Sequence, residues 1–148
     1  EAFARRVERI RNELIALLER EVGAGKQVYV YGASTKGNTL LQYFGLDTRL
    51  IRAAAERNPQ KWGLSTVRTN IPIISEVEAR SEQPDYFLAL PWHFMDEFLA
   101  RERAFLERGG KFITPLPEVR VVGYDDVVAC AEIPSVLASC SPSLRGAR

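Results

Sequence analysis

Gln27-Val28-Tyr29-Val30-Tyr31-Gly32-Ala33-Ser34-Thr35-Lys36-Gly37-Asn38 passes from a β-branched and aromatic run straight into a glycine loop. The first five residues read as a strand. Lys36 to Phe44 reads as a helix, with Leu40, Leu41 and Phe44 turned inward and Gly45 as its stop. Strand, glycine turn and helix in this order form the first unit of a parallel sheet, and the rest of the chain is read for its continuation.

Upstream, Phe3, Val7, Ile10, Leu14 and Leu17 recur at alternating spacings of four and three and give one apolar helix face. Glu8, Arg9, Arg11 and Glu13 occupy the other faces, and Gly23 and Gly25 end the helix. The pattern is already running at Glu1 without a cap before it. The helix is therefore expected to continue from, or pack against, upstream sequence. Downstream, Leu50 to Ala55 predicts a second strand and Asn58-Pro59 a turn. Ile71 to Ile74 predicts a short third strand, and Ser75 with Glu78 forms the capping-box pattern that opens a brief helix.

Tyr86 to Leu90 is an apolar run suited to a buried strand. After Pro91 a long helix is expected to about Arg108, with Phe94, Phe98, Phe105 and Leu106 facing inward. Gly109-Gly110 closes it, Lys111 to Thr114 makes another strand, and Val119 to Val122, reached through Pro115 and Pro117, adds one more. The alternation predicts an α/β fold, Rossmann-like, with a doubly wound and mostly parallel sheet preceded by a long N-terminal helix. Residues 1–24 are read as that helix, 25–123 as the Rossmann-like domain and 124–148 as a tail. The pattern degrades from Asp125, and Ser139 to Arg148, small, polar and basic, is expected to be mobile.

A chain of 148 residues fits one domain, and an apolar fraction of 46% supports a core. Twenty Lys and Arg against 19 Asp and Glu leave a formal charge of +1. That balance argues against a dedicated nucleic-acid or membrane-surface binder. No apolar run approaches the roughly 18 residues of a membrane span, and no signal peptide is visible. Cys130 and Cys140 have no CxxC spacing and no nearby histidine, so they read as two free thiols in a reducing cytoplasm.

In a parallel sheet the ligand crevice lies at the carboxyl ends of the strands. The helix that follows Gly32 offers free N–H groups and a partial positive charge there. Gly32 permits a tight turn, Ser34 and Thr35 add hydroxyls, Lys36 adds a charge, and Gly37 allows close approach. The loop lacks the Gly-Lys-Ser/Thr of a Walker A motif, and Ser34 stands where a G-x-G-x-x-G fingerprint has its middle glycine. An ordinary turn capped by Ser34 or Thr35 is the alternative.

An acid about 20 residues beyond such a loop commonly bonds a ribose hydroxyl; Glu56 stands near that distance, and a surface glutamate beside Arg57 is the alternative. Pro91-Trp92-His93-Phe94 follows the fourth strand, also at the carboxyl edge. His93, the chain's only histidine, can act as an acid or base, bond a phosphate, or merely cap the helix. Trp92 can stack on a base or be buried. Lys61 and Trp62 form a similar loop, with a solvated basic turn as the plain reading.

Several of these strings together resemble a known family. Val30 to Asn38, Arg57-Asn58-Pro59 with Lys61 and Gly63, and Ile71 to Ser75 resemble the C-terminal domain of sugar C-methyltransferases. So do Pro84 to Phe87, Leu90 to Phe94, Gly109 to Ile113 and Pro115 to Glu118, and the likeness runs in order over residues 1 to 123. The resemblance implies a parent enzyme with a zinc-binding segment, a central domain for S-adenosylmethionine, and this Rossmann-like domain. Such enzymes methylate a carbon of a nucleotide-linked keto-deoxysugar, here expected to be thymidine-linked.

Carried over by position, Gly32, Ser34, Thr35, Lys36 and Asn38 would lie near the diphosphate or sugar. Glu56, Arg57 and Asn58 would face the nucleotide, and Trp92 and His93 would line the same crevice, His93 in an auxiliary catalytic role. The methyl donor would be held mainly by the upstream domain, with no cofactor required here. Two other readings stand beside this one. One is a self-contained small S-adenosylmethionine-dependent methyltransferase using the Gly32 loop and Glu56. The other is a non-catalytic assembly domain that dimerises through its first helix.

Overall fold

In the computed structural model, which describes residues 1–132, Val28–Tyr31 (β1) lies inside a six-stranded sheet with all four side chains buried. Alternation along the strand sends neighbours to opposite faces. Val28 and Val30 enter a core with Ile10, Leu14, Leu18, Leu41 and Phe44, whereas Tyr29 and Tyr31 enter one with Phe87, Phe98, Phe105 and Phe112. The first core is roofed by Ala2–Gly23 (α1) and Thr35–Phe44 (α2). The second is roofed by Glu76–Ser81 (α3), Met95–Arg101 (α4) and Arg103–Glu107 (α5), with Tyr124–Glu132 (α6) packed beside them.

The remaining strands are Ala54–Glu56 (β2), Ile73–Ser75 (β3), Tyr86–Ala89 (β4), Lys111–Thr114 (β5) and Arg120–Val122 (β6). Their order is β3-β2-β1-β4-β5-β6. The first five are parallel, and β6 returns antiparallel along β5. This is the expected doubly wound α/β sheet behind a long N-terminal helix. No helix among the described residues is long and apolar enough to cross a membrane.

Several local expectations shift. On α1, burial begins only at Ile10; Phe3 is 76% exposed, and Leu18 rather than Leu17 takes the deep position. The second strand starts at Ala54 because Leu50 and Ile51 still turn, both N–H groups returning to the Asp47 carbonyl. The long helix after Pro91 is three pieces: a 3-10 turn over Trp92–Phe94, then α4, then α5.

The break between α4 and α5 falls at Glu102 (φ −102°, ψ 30°), whose buried carboxylate accepts the Tyr31 hydroxyl at 2.8 Å and is gripped by Arg80. Phe94, in the turn ahead of α4, misses the inward stripe and is 51% exposed. Gly109 closes α5 at φ 97°, and a Cβ on Gly110 would sit 2.3 Å from the Phe105 ring. Past Gly123 the pattern does not lapse at once. Asp126 accepts the Gly123 N–H at 2.8 Å and starts α6. Ser139 to Arg148 with Cys140, and the Cys130 side chain, lie outside the described residues.

Candidate functional site

Strand order reverses between β1 and β4, so the connections leaving these neighbours turn to opposite faces of the sheet and leave a crevice at their carboxyl ends. The Gly32 N–H is bonded to the Ala55 carbonyl at 2.8 Å, and its φ of 91° is a conformation that glycine adopts at little cost. Ser34 caps α2: its Oγ accepts the Gly37 N–H at 3.0 Å and its carbonyl the Asn38 N–H at 2.9 Å. The N–H groups of Thr35 and Lys36 find no acceptor among the described residues. Both residues are exposed, so the first turn of α2 presents two free donors, a hydroxyl and an ammonium to solvent.

Gly37 fixes how closely this turn approaches β4. A Cβ there would lie 3.0 Å from Ser34 Oγ and 3.1 Å from Leu90 Cδ1. Three clefts meet at Ser34. The largest, about 430 Å³, runs between the first turns of α2 and Leu90–Phe94, and brings Thr35 and Lys36 opposite Trp92 and His93. One of about 290 Å³ lies between α2 and the β2–β3 connection, lined by Asn38, Lys61, Leu64, Thr66 and Val67 among others. The third, about 350 Å³, opens on the other face between Glu56, Arg57, Phe94, Glu97 and Arg101.

Glu56 ends β2 and turns its carboxylate into the loop. Oε2 accepts the Ala33 N–H at 2.8 Å, and Oε1 accepts the N–H groups of Arg57 at 2.9 Å and Asn58 at 3.0 Å. Burial pushes its pKa up, but the N–H groups of Asn58 and Ala33, the Lys61 charge and the Arg57 N–H prevail. The acid is held below the usual glutamate range. Lys61 holds the next peptide unit, beyond the Ala33 Cα, donating to the Ala33 carbonyl at 2.8 Å and standing 3.8 Å from Glu56. Trp62 Nε1 donates to the Glu56 carbonyl at 2.8 Å and leaves its ring 43% exposed.

The sequence-derived candidates therefore separate into groups. Gly32, Ser34, Thr35, Lys36 and Asn38 form one turn, and Trp92 and His93 face it across a cleft. Arg57 is exposed and 3.8 Å from Glu97, while Asn58 uses its Oδ1 to cap the following 3-10 turn at the Gln60 N–H. Glu56 belongs to the loop through Ala33, with both carboxylate oxygens already engaged by backbone. Sequence reading gave Ala33 no role and offered a solvated basic turn as the plain reading of Lys61, because their contacts with Glu56 are made through space rather than at a recognisable spacing.

Beneath the third cleft lies an ionic cluster. Glu102 holds Tyr31 and Arg80; Glu76 accepts from Arg80 at 3.0 Å and from Arg101 at 2.6 Å. Burial, then the Glu102 charge, raises the Tyr31 phenol far above its ordinary range, so it serves as a fixed donor. The cluster ties α3 and the α4–α5 junction to the end of β1, and so stiffens the floor from which Gly32 departs.

Residues 1–117 match the family described as C-methyltransferase C-terminal domain. The chain is also 40% identical over 126 residues to the C-methyltransferase NovU of Streptomyces niveus. That alignment covers 85% of this chain and 30% of the relative, so the chain spans under a third of that protein's length.

Proposed function

The chain belongs to the family of C-methyltransferase C-terminal domains, and from that premise we propose that it is the nucleotide-sugar-binding domain of an enzyme that methylates a carbon of a deoxysugar. The observation that carries this reading is the open first turn of α2. Its Thr35 and Lys36 N–H groups, the hydroxyls of Ser34 and Thr35, and the Lys36 ammonium are placed where two clefts converge. A diphosphate matches that donor set. With the diphosphate on the turn, the nucleoside and the sugar extend into the clefts on either side.

The turn suits S-adenosylmethionine poorly. The acid that would take a ribose diol, Glu56, already accepts three backbone N–H groups, and Ser34 replaces the glycine that allows close approach. Holding the methyl donor is therefore assigned to upstream parts of the parent chain, as the family resemblance implies, and the methyl transfer itself is not placed on this domain. Its contribution is to fix the sugar so that the carbon beside its keto group meets the reacting groups in one orientation, a large rate term in itself. His93, exposed on the far wall of the 430 Å³ cleft, is placed to meet the sugar or a phosphate oxygen as an auxiliary acid or base.

Calorimetric titration of the chain with a thymidine diphosphate sugar and, separately, with S-adenosylmethionine tests this reading. Binding of the nucleotide sugar alone, weakened about tenfold or more by Lys36→Ala through loss of a charge-assisted contact, is the expected result. Binding of the methyl donor instead would make this a self-contained methyltransferase. Binding of neither would leave an assembly domain.

A further inference from the structure

Glu56 lies at the ribose-binding position of a dinucleotide fold, yet among the described residues its carboxylate bonds to backbone N–H groups and pairs with Lys61. Its side chain is only 13% exposed. Ala33 is held on both sides of its Cα, its N–H by Glu56 at 2.8 Å and its carbonyl by Lys61 at 2.8 Å. Ala33 is the residue between the φ-positive Gly32 and the N-cap Ser34, so its orientation sets where the first turn of α2 aims its free N–H groups. The same carboxylate fastens the start of the β2–β3 connection through Arg57 and Asn58, and Trp62 adds a bond to the Glu56 carbonyl.

We propose that Glu56 and Lys61 are a pair of positioning residues that lock the two peptide units flanking Ala33 and so aim the anion-binding turn, and that Glu56 makes no contact with the ribose. The inference rests on the reading of the α2 turn as the diphosphate seat. It has a consequence for specificity: with its acid consumed by backbone, the site does not distinguish a ribose from a 2′-deoxyribose by way of Glu56.

The sign of one substitution separates this role from a purely electrostatic one. Removing a carboxylate's charge beside an anion site should strengthen anion binding if only Coulomb forces act. Positioning demands the reverse. Glu56→Gln places an amide donor against an N–H, frees Ala33, and is expected to weaken binding about tenfold, the scale of a lost charge-assisted hydrogen bond.

The measurement is calorimetric affinity of the full chain for inorganic pyrophosphate, uridine diphosphate and 2′-deoxyuridine diphosphate, at a temperature where melting curves show each variant folded. The expected result is one common fold-loss for all three ligands in Glu56→Gln. Lys61→Gln, at a half-exposed side chain, should act in the same direction and add little in the double variant, because both release the same residue, Ala33. Unchanged or tighter pyrophosphate binding in Glu56→Gln overturns the inference. So does a loss confined to the two nucleotides, which would place Glu56 on the ribose, or full additivity of the two variants. If the unaltered chain binds none of the three, the diphosphate seat itself is wrong and the inference falls with it.

Discussion

Two loops at the carboxyl edge of the sheet, Gly32–Thr35 and Pro91–Phe94, face each other across one cleft and are built in opposite ways. The first is fastened from several directions: Ala55 takes the Gly32 N–H, Glu56 and Lys61 hold the N–H and the carbonyl of Ala33, and Ser34 caps α2. The second relies on backbone bonds of its own turn, Trp92 N–H to Leu90 at 2.9 Å and Phe94 N–H to Pro91 at 3.0 Å. Its His93 and Phe94 side chains are exposed, and the His93 ring lies between those of Trp92 and Phe94, the latter 6.4 Å from Phe98. On the proposed function this contrast is useful. A rigid turn suits a diphosphate, the group common to every nucleotide sugar, whereas a lightly held aromatic wall can adjust to the sugar.

The harshest way to break the contrast is Gly37→Val, because Gly37 touches both loops at once. Branched carbons driven between Ser34 Oγ and Leu90 Cδ1 should lower stability by about 1–3 kcal/mol, read as a shift in urea midpoint, and abolish ligand binding as well. A variant that melts normally and binds normally would show that the two loops are not joined through this contact.

Ser34→Ala should cost about 1 kcal/mol through loss of the helix cap. Ser34→Asp sharpens the comparison, since aspartate caps equally well but places a negative charge where the anion would sit. It should keep the melting temperature near that of the unaltered chain and lose diphosphate affinity. Retained affinity in Ser34→Asp would remove the anion from this turn. The smallest effect belongs to the opposite loop. His93→Ala should change stability by less than about 0.5 kcal/mol while altering affinity for the sugar-bearing ligand more than for pyrophosphate. A stability loss as large as that of Ser34→Ala would mean that the second loop is as firmly built as the first.

What sequence alone disclosed follows the range of the interactions involved. β1, Gly32, α2 and the Gly45 stop are local patterns, and the chain spells them out in eighteen consecutive positions or so, a span of the usual strand–turn–helix size. The sheet's winding follows from alternation. Phe94 was assigned inward because it falls in phase with Phe98, but periodicity cannot foresee that a 3-10 turn precedes α4 and changes the phase. The break at Glu102 depends on Arg80, 22 residues away, and on Tyr31, 71 residues away. Neither partner is marked by spacing. Glu56 stands out by its distance from Gly32, but the Ala33 N–H that it accepts, 23 residues back, is marked by no local pattern.

The order of strands also bears on how the molecule assembles as it is synthesised. β1 pairs with β2 on one side at Val30–Ala54, but on the other its partner is β4, with Val28 opposite Tyr86. Until the ribosome has released the residues around Tyr86–Ala89, β1 has a bare edge, carrying the kind of apolar, unpaired backbone that recruits wrong partners. Contacts this distant in sequence form slowly. The crevice between Gly32 and Pro91 therefore comes into existence only when β4 docks, so on the proposed function ligand-binding competence in a nascent chain is a late event, timed by a strand that follows the Gly32 turn by some fifty residues, a long loop to close.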